Sequence, residues 1–168
     1  MVRLRFTLLC AALLGACAAQ ADDATIEITF DPCEPIAVLT PPDATEMATV
    51  GIDGALAMWT ALRDWPIARA SPDGDELGAA AIIQVVFQDA AHPFHGLYDD
   101  QHGVVYINTD LIDDHQRSVT IAHELGHAFG LFHIESRPSV MNPGNVSLAP
   151  SEEDAAEIDA LWGSCPGG

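Results

Sequence analysis

The sequence contains no lysine. Its six basic residues are all arginine, against 25 aspartates and glutamates, for a formal net charge of −19. Arg3 and Arg5 fall in an N-terminal leader; without them 4 basic residues face 25 acidic ones, near −21. A chain so poor in positive charge cannot hold nucleic acid or an anionic membrane surface electrostatically. Its acidity reads instead as a soluble, self-repelling surface. Long apolar runs are also missing. The run from Phe6 to Leu14 is far short of the ~20 residues that a membrane-spanning helix needs, and no later segment reaches that length. There is no internal repeat and no low-complexity block. Apolar residues make up 49% and charged residues 18%, a globular composition that excludes a largely disordered chain. The length fits one domain.

Arg3 and Arg5, the apolar run Phe6 to Leu14, and the small residues Gly15 and Ala16 form the three parts of a secretory signal. Leu14-Gly15-Ala16-Cys17 also resembles the bacterial lipobox. That resemblance implies a signal peptide over residues 1–16, removed before Cys17, with lipid on the new N-terminal cysteine. Ordinary cleavage after Ala19-Gln20-Ala21 fits the small-x-small rule as well, and gives a freely secreted form. The expected location is the cell envelope, as an outer-membrane or surface lipoprotein, with the periplasm or medium as the alternative. Ala18 lacks the acidic character that retains lipoproteins at the inner membrane.

Only four cysteines are present. Cys10 and Cys17 belong to the leader region, which leaves Cys33 and Cys165 to flank a domain over residues 24–165. An exported compartment is oxidising, so these two are expected to pair. The alternative is that Cys33 stays a thiolate that plugs a metal.

Thr25 to Phe30 alternates polar and apolar residues and predicts a strand. Pro32, Pro35, Pro41 and Pro42 predict a loop. Asp43 and Glu46 resemble a capping box for a helix whose apolar face is Met47, Val50, Gly54, Met58, Leu62 and Trp65, ended by Pro66. A loop over 68–78, strands over 79–87 and 104–108, and a short strand near Leu97-Tyr98 follow. Asp113 or Asp114 caps a helix from about His115 to Gly130. A Pro- and Gly-rich loop over 136–150 leads to a last helix opened by Ser151 and Asp154. The expected fold is α/β (α+β): a small twisted mixed sheet packed on two helices, with a final helix.

The chemistry is concentrated in His123-Glu124-Leu125-Gly126-His127-Ala128-Phe129-Gly130-Leu131-Phe132-His133. His123 and His127, four residues apart on a helix, share one face and can reach one metal ion. On a straight helix His133 would lie about 15 Å from His123. Gly130 allows a positive φ that ends the helix and folds the chain back, so His133 can supply a third nitrogen. Three neutral imidazoles suit a catalytic Zn²⁺ with a fourth position left for water. Glu124, beside the first ligand, is the natural base for that water.

This stretch resembles the metzincin zinc-peptidase signature HExxHxxGxxH. Ser139-Val140-Met141-Asn142-Pro143 fits the methionine turn of that clan, with Met141 eight residues after His133. Leu161-Trp162-Gly163 is similar to the Leu-Tyr-Gly that closes the matrixin-type domain. The resemblance implies a metzincin-like fold, one catalytic zinc on His123, His127 and His133, Glu124 as base, and Met141 as an apolar floor beneath the metal. It implies a peptide or protein substrate lying as an extra strand along the sheet edge near Leu97-Tyr98, with Pro143 to Val146 shaping the pocket after the cleaved bond.

Departures from the family are visible. Ile134 stands where matrixins carry serine, no tyrosine follows the methionine, and no pro-domain fits between leader and first strand. Asp31-Pro32-Cys33-Glu34-Pro35 shares only Pro, Cys and a later Pro with the matrixin cysteine switch. Matrixins bind a structural zinc and calcium in a loop equivalent to the one holding His92, His95, Asp99, Asp100 and His102; the spacing here differs, and a solvated polar loop is the plainer expectation. The resulting expectation is a zinc endopeptidase that touches no nucleic acid and meets the membrane only through a lipid anchor. Hydrolysis of another amide or ester bond, or a non-catalytic zinc-binding or protein-binding lipoprotein on the same scaffold, are the alternatives. The sequence carries no signal for oligomeric state.

Overall fold

A computed structural model describes residues 25–70, 78–91 and 93–165. The leader with Cys10 and Cys17, and His92 in the polar loop, lie outside the described residues.

Five strands form one mixed sheet: β1 (Ile36–Leu39), β2 (Ile67–Ala70), β3 (Ala81–Gln88), β4 (Gly96–Asp99) and β5 (Val104–Asn108), in the order β2-β1-β3-β5-β4. Four of them run parallel, and β4 pairs antiparallel with β5 at one edge. In β3, Ile83 and Val85 are buried while Ile82 and Gln84 are exposed, so one face of the sheet carries the core. Helices α1 (Glu46–Thr60) and α2 (Asp114–Ala128) supply the other half of that core, and α3 (Glu152–Trp162) adds Ala155 and Ile158. Trp59, Trp65 and Phe129 stack at its centre, with ring centroids 5.7–5.9 Å apart. The Trp59 indole N–H is satisfied by the Ala122 carbonyl at 3.0 Å. The architecture is thus a mixed sheet with three helices, as the α+β expectation has it.

Three expectations need correction. Thr25 to Phe30 is not a strand of the sheet. It is a strap whose main chain makes one backbone–backbone bond at each of two places: Ile28 N–H to Asp100 O at 3.0 Å and Phe30 N–H to Ala128 O at 2.8 Å. One partner per element cannot make a ladder. The first strand is instead Ile36–Leu39, inside the stretch expected to be a loop. Pro35 and Pro41 bracket these four apolar residues without interrupting them, so no ladder hydrogen bond is lost. Likewise Ile67–Ala70 forms β2 directly after Pro66, at a sheet edge.

The third correction concerns α1. Met47 and Val50, placed on its buried face by spacing, are 47% and 43% exposed. The buried face is Ala48, Gly51, Ile52, Ala55, Leu56 and Trp59. Small residues win because α1 and α2 pack closely: a Cβ on Gly51 would sit 2.8 Å from Cδ of Arg117. Thr45, not Asp43, caps this helix, accepting from Ala48 N–H at 3.2 Å. By contrast, α2 is capped by Asp113, and α3 carries the expected Ser151/Asp154 capping box.

Cys33 and Cys165 are joined in a disulfide, 132 residues apart in sequence. The bridge removes Cys33 as a thiolate that could plug a metal. It ties the strap to the chain that follows α3. Reduction is expected to cost about 2–5 kcal/mol and to lower the melting temperature by roughly 4–20 °C. Thermal melts with and without reductant check this, and coincident curves would show that the bridge does not hold the fold.

Candidate metal centre

The second half of α2 delivers His123, Glu124 and His127 to one side of the helix. Gly130 has φ +100°, a backbone that L side chains rarely adopt, and there the helix stops. Its N–H closes on His127 O at 2.9 Å and that of Leu131 on Gly126 O at 2.9 Å, so the chain turns back at once. His133 then arrives with Nε2 at 3.2 Å from Nε2 of both His123 and His127.

Two backbone carbonyls orient the rings. His123 Nδ1 lies 2.7 Å from Val140 O, and His127 Nδ1 lies 2.7 Å from Leu131 O. A carbonyl can only accept, so each Nδ1 carries the proton and each Nε2 turns a lone pair inward. His133 can donate to only one of those neighbours. At least one close nitrogen pair is therefore left without a proton between it, an arrangement that a cation relieves. A tetrahedral zinc with Zn–N near 2.0–2.1 Å holds its nitrogens about 3.3 Å apart, close to the spacing seen here. Burial depresses the pKa of His123, helped by charge repulsion from His133; burial and then His123 push His127 down to about 4. Both shifts favour the neutral ring, the form that ligates. The three histidines fit a single metal ion.

Glu124 is 5% exposed. Burial pushes its carboxyl up to about 8, opposed by the backbone N–H of Tyr98. The start of β4 packs directly on it: a Cβ at Gly96 would come within 2.8 Å of both Glu124 Oε1 and Thr120 Cγ2. Only glycine lets the edge strand approach the carboxyl so closely. Met141 is fully buried, with its side chain against Gly126 between the two helical histidines. Ile134 N–H donates to Met141 O at 3.0 Å, which folds the Met141 turn back under the returning chain.

A cleft opens over this centre, lined by His123, Glu124, His127 and His133, by Gly96 to Tyr98 of β4, and by Asn145 and Gly144 beyond the Met141 turn. Phe94, Phe132 and Ile26 complete its apolar rim. Spacing reasoning found the histidines and Glu124, and the family resemblance pointed to Met141. It missed Val140 and Leu131, which act through backbone carbonyls and leave no side-chain signal. Gly96 had a signal, a glycine at a strand position, which often marks close backbone approach.

Among the described residues the polar loop holds no second metal group, as the plainer expectation had it. His102 Nδ1 pairs with Asp99 Oδ2 at 2.9 Å on the surface, while His95 lines the cleft. Among the described residues, His123, His127 and His133 are the one group of three donors that converges. His115 is exposed, with Nε2 3.3 Å from Ser147 O.

A mixed α/β domain with a three-histidine cluster able to hold a metal ion is what the fold and site define. No protein-family model matches the chain, and comparison with curated proteins returns no match. The apo chain is expected to bind one Zn²⁺, by calorimetry. Replacing His127 with alanine should weaken that binding by more than about 100-fold, beyond what loss of an outer partner costs. Two zinc ions per chain, or unchanged affinity in the variant, would break this assignment.

Proposed function

We propose that this protein is a zinc-dependent endopeptidase of the metzincin clan, similar to its matrixin-type branch. The observation that carries the reading is one juxtaposition. A buried carboxyl, three inward-facing imidazoles and the outer edge of a sheet share a single cleft.

His123, His127 and His133 would hold the metal. Zn²⁺ bound there would polarise a substrate carbonyl and make a water easier to deprotonate. Glu124 takes the proton of the attacking water and passes it to the leaving amine nitrogen. Its burial favours the first transfer, since a carboxylate in an apolar site is a stronger base than one in water; the second is drawn by the basicity of the leaving amine. Strand β4 ends the sheet, so its outer backbone groups are available to an extended peptide, which docks as a further strand. Tyr98 and Gly96 sit on that strand against Glu124, so the edge that binds the peptide also places the base.

Electrostatics select the substrate's charge. Arg63, Arg69, Arg117 and Arg137 are each paired with carboxylates, and none lines the cleft. The acidic field therefore attracts cationic polypeptides, more weakly as salt rises.

Export and lipid anchoring belong to the same reading and rest on Arg3, Arg5, the apolar run and Cys17. No helix of the described residues is long and apolar enough to cross a membrane.

The test is a peptide library incubated with the zinc-loaded chain and read by mass spectrometry, with a chelated control. Internal cleavage that needs zinc supports the reading. Zinc bound one per chain without cleavage would move the assignment to a zinc-binding module.

A further inference from the structure

The strap over residues 25–31 has no catalytic side chain, yet it is tied down at several points. Glu27 N–H donates to Asp100 Oδ2 at 3.1 Å, and the Tyr98 hydroxyl donates to Ile28 O at 2.7 Å. With the bonds from Ile28 and Phe30 and the disulfide just beyond, the strap is clamped to β4, to the end of α2 and to the chain after α3. The clamp sets Ile26 at the rim of the cleft.

Ile26 and Phe132 also line a second groove, which adjoins the first at these two residues and has Thr29, Gly130, Leu161 and Trp162 among its other walls. No lining residue of this groove is charged, although the chain carries −19. Phe132 is 49% and Leu161 57% exposed. The walls are built in advance: the Trp162 indole N–H is anchored on Phe129 O at 2.7 Å. A Cβ at Gly130 would lie 3.3 Å from Leu161 Cδ1, so glycine keeps the groove open there.

We propose that this groove is an extended subsite of the cleft, and that it receives an apolar side chain of a polypeptide substrate at a position removed from the cleaved bond. The inference rests on the endopeptidase reading and narrows its substrate class to extended chains. The shared rim names the occupant: a peptide lying along β4 that extends beyond Ile26 and Phe132 leaves the cleft for this groove. A second copy of this chain is the poorer fit, since it would bring another −19 to the same surface. Phe132 and Leu161 are specificity-determining residues on this view, and the strap is a wall of the site.

The test uses the full zinc-loaded chain and matched peptides that carry Leu or Asp at successive positions on each side of one cleaved bond. At one position, away from the bond, kcat/KM should favour Leu by about 10-fold or more. Phe132→Ser and Leu161→Asp should each bring that ratio towards one, and thermal melts verify folding. Equal kcat/KM at every such position, or a ratio unmoved by Leu161→Asp, would overturn the proposal.

Peptide binding to the zinc-loaded Glu124→Gln chain, read by fluorescence anisotropy, separates the two claims. If no peptide is cut but the Leu peptide binds more tightly and Leu161→Asp abolishes the difference, the groove stands and the peptidase reading falls. If peptides are cut with no remote preference, the reading stands and the groove falls. If neither signal is seen, both fall.

Discussion

Replacing Glu124 with glutamine is expected to lower peptide hydrolysis by about 10²–10⁴-fold, the usual contribution of a positioned acid–base group. Zinc should stay bound, because Glu124 is not among the three converging donors. Glutamine has the same shape, so it fits the box made by Gly96, Thr120 and the Tyr98 backbone. Its amide cannot take a proton from water. The melting temperature should not fall, since a neutral amide avoids the burial penalty that raises the Glu124 pKa. Zinc content, melting curve and kcat/KM measured on one sample make the outcome decisive. Activity lost together with zinc or with the fold would make Glu124 a structural residue.

Asp154→Ala should have the largest effect on stability, about 3–5 kcal/mol, the range found when a buried ion pair loses one partner. Its carboxylate is fully buried beneath the Met141 turn. It accepts from Ser139 Oγ at 2.6 Å, from Arg137 Nη1 at 2.8 Å, and from the N–H and hydroxyl of Ser151 at 2.9 and 2.8 Å. Ser139 Oγ in turn accepts from Met141 N–H at 2.9 Å, and the next carbonyl back, Val140 O, orients His123. The loss should therefore reach the metal, with weaker zinc binding alongside a melting temperature lower by roughly 6–20 °C.

The pH dependence follows. Burial opposes ionisation of Asp154, but hydrogen bonds from Ser139, Ser151 and Arg137 outweigh it and hold the pKa below its ordinary 3.8. A depressed carboxyl stabilises the fold fully above the unfolded value, and loses that contribution as pH falls through the lower folded value. The wild-type advantage over Asp154→Ala should be constant near neutrality and shrink below about pH 4. Urea titrations at neutral and acid pH check the slope; an advantage that grew on acidification would contradict the assignment.

How far the sequence could be read depended on what each part of the fold uses as its signal. The histidine cluster was legible because helix periodicity and one glycine fix it locally. Gly130 announces the break, and the structure puts it at φ +100°. Capping was legible at Asp113 and Ser151, where a side chain bonds the backbone a few residues on. The short strands at Ile36–Leu39 and Ile67–Ala70 were not, since four-residue strands beside prolines look like loops until partners are known. The buried face of α1 was misread for a related reason. Spacing favours the largest apolar residues, but the close approach of α2 selects Ala48, Gly51 and Ala55.

By itself the sequence determined the acidic charge, the α+β class and the three histidines with their neighbouring carboxylate; it favoured a Cys33–Cys165 pair, which the structure decided over a free thiolate. These depend on composition, on contacts within a turn or two of helix, or on having two cysteines to pair. Only the tertiary structure decided which carbonyls aim the imidazoles, that Gly96 lets an edge strand rest on Glu124, and that Asp154 braces the Met141 turn. It also turned a predicted strand into a strap along the cleft. Those features join residues far apart in the chain, often through backbone atoms that every residue shares, so no local pattern of residue types could have marked them.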